Sequence, residues 1–184
     1  MAFGAGLSGL AYAYFFVIAR DITLYSLFLA LLGLFGLKLF IMLYGRLKDV
    51  DVNMARVGVA LGVLGAFGAL VHGGYDLANA INPVRGVNPN LPNQIDPRGL
   101  LTFGLTGFGI LKISYLMGKD KSFPEGLSYL GLLSGVLLIM IYLARLIILD
   151  PANPLLAYPI LVEGFIVGPL WYLWLGVACA KLKL

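Results

Sequence analysis

The sequence predicts an all-α integral membrane protein, a bundle of six transmembrane helices with both termini on the cytoplasmic side. Three observations carry this: an apolar, charge-poor composition, six apolar runs of about the length of a membrane span, and an uneven distribution of Lys and Arg between the runs. The 184 residues are 60% hydrophobic and 12% charged, with a mean hydropathy of +0.93. A soluble domain carries about a quarter charged residues, and a chain this apolar could not clothe its surface in water. In a bilayer the outer surface has to be apolar, and the spans consume nearly all of residues 1–184, leaving one transmembrane domain.

The runs extend from Phe3 to Ala19, Ile22 to Tyr44, Met54 to Ile81, Gly99 to Met117, Leu127 to Leu149 and Ala157 to Ala180. Most approach the ~20 residues a helix needs to cross the hydrocarbon core, and none alternates as a barrel strand would. The first run has no Lys or Arg before it and Arg20 after it, which taken alone favours the reverse orientation. It lacks the basic start and small-residue cleavage site of a signal peptide, so a retained helix is expected. In the second run Lys38 sits toward the cytoplasmic end, as does Lys112 in the fourth, where a long stem can carry the ammonium to the headgroups.

The third run carries Gly58, Gly62, Gly65 and Ala69 on one face, a stripe that lets helices approach closely and predicts a central position. Asn82 to Arg98 follows, with Pro83, Pro89, Pro92 and Pro97; four prolines exclude a helix and make this either a plain connector or a lid over the outer end. Gly104 with Gly107 in the fourth run, and Gly131 with Gly135 in the fifth, offer notches for internal packing, for a second copy of the chain or for a larger membrane complex. Pro169, beside Gly168, predicts a kink in the sixth run, and Trp171, Tyr172 and Trp174 point to the membrane interface.

Six spans place Arg46, Lys48, Arg56, Lys119, Lys121, Lys181 and Lys183 on the face that holds the termini, against Arg20, Arg85 and Arg98 on the other. The excess makes the terminal face cytoplasmic, in a bacterial or archaeal cytoplasmic membrane. A shift of 99 residues aligns Gly36 with Gly135, Arg46–Leu47 with Arg145–Leu146 and Gly65 with Gly164, the pattern an inverted three-plus-three repeat would leave.

Several functions are excluded. The net charge of +4 comes from residues flanking the runs, with no basic stripe for nucleic acid. Cys179 is the single cysteine and His72 the single histidine, so disulfides, multi-cysteine zinc sites and bis-histidine haem ligation within the chain are ruled out. There is no P-loop, dinucleotide fingerprint or nucleophile elbow, and no cofactor is implied.

The informative residues are those that lipid should reject. The glycine stripe continues into His72 and Asp76, with Tyr75 adjacent and Asn79 beyond, and Arg145 and Glu163 fall at similar depth in the last two runs. Intramembrane charges face inward and find partners, so Arg145 is expected to pair with Asp76 or Glu163. The leading expectation is a non-enzymatic membrane protein with an outward-facing polar pocket, built from His72, Tyr75, Asp76, Asn79, Arg145 and Glu163, for a small molecule, an ion or a lipid headgroup in transport, sensing or support of a complex. One alternative is an accessory subunit whose charges only fix the helix order. The other is an intramembrane enzyme using His72 and Asp76 as an acid–base pair.

Overall fold

The computed structural model describes residues 1–82, 99–148, 150 and 152–182. Six helices are long and apolar enough to cross a membrane: α1 (Ala2–Ala19), α2 (Ile22–Leu47), α3 (Val52–Ile81), α4 (Leu100–Lys119), α5 (Glu125–Ile147) and α6 (Pro154–Leu182). The described residues contain no strand. Several helices begin a few residues before, or end a few residues after, the apolar runs, because polar capping groups rather than hydropathy set the ends. Asp21 accepts a hydrogen bond from Leu24 N, Asp51 from Met54 N and Asn153 from Leu155 N, opening α2, α3 and α6. Each such cap is worth about 1 kcal/mol.

The helices pack in chain order, α1 on α2, α2 on α3, α3 on α4, α4 on α5 and α5 on α6, and α6 returns to α1. The result is a closed ring. Helix α3 is therefore not the hub that its small-residue stripe suggested; it occupies one place in the ring between α2 and α4. Its stripe serves both neighbours: Gly62 meets Phe40 of α2, while Gly58 and Gly65 meet Ile113 and Thr106 of α4.

Glycine sets these approaches. A Cβ at Gly33 would lie 2.5 Å from both Ala66 O and Leu70 N, and one at Gly73 would run into Ser26 O and Ala30 N. These are backbone atoms and cannot yield, so α2 and α3 touch main chain to main chain. Gly107 and Gly135 do the same between α4 and α5, each 2.8 Å from the other's carbonyl oxygen measured from an added Cβ. Gly104 faces Tyr142, and Gly131 faces Ser114 and Trp171. The glycine pairs of α4 and α5 are thus turned to neighbouring helices of the same chain. The 99-residue correspondence does not mark equivalent contacts, since Gly36 faces Ala66 of α3 whereas Gly135 faces Leu111 of α4.

The outer surface is apolar, with Leu7, Ile41, Phe67 and Tyr129 each more than half exposed. Lys38 is exposed and the stem of Lys112 packs on Gly58. At the end carrying the termini, Arg46 of α2 is joined to Asp120, just beyond α4, at 2.8 Å, with Ser122 donating to the same carboxylate. Burial pushes the Asp120 carboxyl up, but the hydrogen bonds from Arg46 and Ser122 outweigh it and hold it below its ordinary value. A depressed carboxyl stabilises the fold above its unfolded value of about 3.9 and loses that contribution as pH falls through the folded value. Thermal melts of wild type and Asp120→Asn should therefore differ at neutral pH and converge in acid. A gap that persists in acid would show that the pair contributes nothing to stability.

Candidate functional site

The ring encloses two adjoining cavities in the half opposite the termini. The inner chamber, of about 120 Å³, takes wall residues from all six helices, among them Tyr12, Gly33, Ala69, Phe103, Ile141 and Glu163. The outer vestibule, of about 400 Å³, is lined by Arg20, Tyr25, His72, Asp76 and Ala157. Tyr12, Phe16, Val17, Leu29, Arg145 and Ile160 border both, so the two form one path from the exposed Arg20 inward.

The helices are built to open this space. Three π-helical turns, Tyr14–Ala19 in α1, Leu100–Leu105 in α4 and Glu163–Val167 in α6, all contribute wall residues. A π turn inserts an extra residue and re-aims the side chains that follow, and such turns recur at functional sites. The third of them ends at Val167, just before Gly168 and Pro169, where the proline predicts a kink. On α5 the wall is a helical stripe, Leu138, Ile141 and Arg145, and Ser134 lies one turn deeper on the same face.

Glu163 opens the π turn of α6 and is 7% exposed. Its Oε1 accepts a hydrogen bond from Ser134 Oγ at 2.6 Å, and its Oε2 has no partner among the described residues. The carboxyl folds back along its own helix: a Cβ on Gly168 would sit 2.9 Å from Oε1, so only glycine leaves it room there. The expected pairing of Arg145 with Glu163 is not made: Ser134 holds Oε1, and no guanidinium reaches Oε2 among the described residues. The Arg145 guanidinium instead lies over the Phe103 ring, 5.7 Å from its centroid.

On the opposite wall, His72 and Asp76 face each other one turn apart, with Nε2 3.3 Å from Asp76 Oδ2. The other ring nitrogen, Nδ1, is 3.4 Å from Thr102 Oγ1 of α4. Both nitrogens are therefore engaged, which fixes the ring and leaves neither turned to a substrate. All three residues are buried.

Of the six residues singled out from the sequence, His72, Asp76, Arg145 and Glu163 lie on the cavity walls. Tyr75 and Asn79 do not. Tyr75 is 48% exposed on the outside of α3, and the Asn79 amide donates to Tyr75 O at 2.9 Å, within its own helix. Ser134, Thr102 and Tyr12 were not singled out. Ser134 was detectable, because it sits eleven residues before Arg145 on one helical face; Thr102 and Tyr12 come from helices whose own patterns mark nothing unusual. The suggested roof, Asn82 to Arg98, falls outside the described residues apart from Asn82, so no lid is drawn from it. In the Asp150–Pro154 connection, Asp150 accepts from Ala152 N and Asn153 caps α6. No cluster of His, Cys, Asp and Glu able to hold a metal ion occurs among the described residues.

Comparison with protein families, with curated proteins and with solved structures finds no match for the chain.

Proposed function

We propose that the chain is a ligand-binding membrane protein whose six-helix ring presents a pocket to the outer side of a cytoplasmic membrane, and that it recognises a small molecule without transforming it. The observation that carries this reading is the placement of the ionisable residues. His72 pairs with Asp76 and Ser134 holds Glu163, yet His72, Asp76, Arg145 and Glu163 all border a continuous open path walled by all six helices, where a purely structural network would leave no such space. The chambers differ in character. The vestibule is lined by the exposed Arg20 and the buried His72 and Asp76, and the inner chamber is largely apolar with a carboxyl on its wall, which suits an amphipathic ligand. An acid–base role for His72 is disfavoured because Asp76 and Thr102 occupy both ring nitrogens. The outward direction rests on the Lys and Arg excess at the opposite end.

Substituted cysteines test the access and the orientation. In a Cys179→Ala background, Ala157→Cys in the vestibule should react with a membrane-impermeant maleimide added to intact cells. Gly45→Cys, at the other end with no atom near its Cβ position, should react only after the membrane is opened. Labelling in the reverse order would overturn the orientation, and an Ala157→Cys that resists the reagent from both sides would overturn the open vestibule.

A further inference from the structure

We infer that the inner chamber receives the ammonium group of a small, mostly apolar primary amine, with the Glu163 carboxylate as its partner. The inference rests on the pocket reading above and specifies what the pocket selects. Glu163 is more than nine-tenths buried, is held by Ser134 through one oxygen, and has no partner for the other among the described residues. A carboxyl in such a place either keeps its proton or, once ionised, needs a hydrogen-bond donor that also carries positive charge. The described residues do not supply it: the one cation among them on the chamber wall, Arg145, lies over Phe103 rather than on Glu163. A metal ion would need several oxygen ligands, and no cluster of suitable residues is present among those described. An alcohol would supply the hydrogen bond but leave the charge unbalanced.

The remainder of the wall indicates the rest of the ligand. Tyr12, Phe16, Phe103 and Tyr172 line the chamber, and aromatic faces attract an ammonium as well as apolar carbon. The chamber volume of about 120 Å³ is close to that of an engineered apolar cavity of ~150 Å³ that admits benzene. A single ring or a short branched alkyl group bearing one amine is the size that fits.

The test uses three probes of nearly one shape and different charge: benzylammonium, benzyl alcohol and benzoate. Each is measured by equilibrium dialysis at neutral pH against the full chain in nanodiscs of zwitterionic lipid, with protein-free nanodiscs subtracted. Benzylammonium should bind about tenfold tighter than benzyl alcohol, and benzoate more weakly than both. Glu163→Gln, which keeps the side-chain shape, should bring benzylammonium to the level of benzyl alcohol. If that variant does not fold, Glu163→Asp, which withdraws the charge by one methylene, should lose most of the preference. Equal binding of the three probes, tighter binding of benzoate, or a preference that survives in a folded variant would each overturn the inference while leaving the pocket standing. Failure of all three probes to bind would overturn the inference and the pocket reading together.

Discussion

Gly73→Ala should break the contact between α2 and α3, whereas Gly74→Ala, one residue further along the same helix, should be tolerated. The two substitutions are chemically identical and differ in what the new methyl meets. At residue 73 it runs into Ser26 O and Ala30 N, main-chain atoms of a helix that is itself packed on both sides; at residue 74 nothing lies within 4 Å. Overpacking a rigid interface costs about 1–3 kcal/mol and more when neither backbone can shift. The intrinsic preference of a helix for Ala over Gly, about 1 kcal/mol, opposes that cost at residue 73 and acts alone at residue 74. Gly33→Ala, which meets Ala66 O and Leu70 N from the other helix, should behave like Gly73→Ala. Melting temperature and the monodisperse fraction after detergent extraction read the difference. Equal behaviour of Gly73→Ala and Gly74→Ala would mean that α2 and α3 do not meet backbone to backbone. In a bilayer, where lipid supplies no hydrophobic drive between helices, such contact, rather than burial from water, would hold this ring together.

The second large effect falls on binding. Ala69→Phe should fill the inner chamber and abolish its capacity for any ligand while leaving the bundle folded. Ala69 is 5% exposed and lines the chamber, next to space that a ring can occupy. Here the added side chain enters a void, the reverse of the case at Gly73, and the fold should keep or gain stability because the new ring recovers dispersion contacts that the void forfeits. Loss of folding in Ala69→Phe would show that the chamber is smaller than described.

The contrast between these positions also explains what the sequence could and could not reveal. Six helices were legible because a span of about 20 apolar residues is a strong one-dimensional signal. Their ends were not, because Asp51 and Asn153 set them through capping geometry that hydropathy ignores. His72, Asp76, Arg145 and Glu163 were legible as ionisable groups in apolar runs. Extending the α3 stripe by sequence proximity captured Tyr75 and Asn79 as well. The inward face instead runs through Ala66, Ala69, His72 and Asp76, and its continuation is not Tyr75, which turns outward. The choice of Ser134 over Arg145 as the partner of Glu163 was out of reach, since it depends on how α5 and α6 are rotated against each other. The small-residue stripe gave close approach correctly and central position wrongly, because a glycine face records how near the neighbouring helices come and not how many surround it. In a ring, each helix has such a face toward both neighbours.

The ring holds an open chamber walled by all six helices and reached past His72 and Asp76. Xenon binding tests it most directly, because xenon enters apolar cavities without needing polar partners. Crystals of the wild-type chain pressurised with xenon should show an anomalous peak between Ala69, Phe103 and Ile141, and crystals of Ala69→Phe should not. An inner chamber without xenon in the wild type, or a peak that persists unchanged in Ala69→Phe, would mean that the helices do not enclose this chamber.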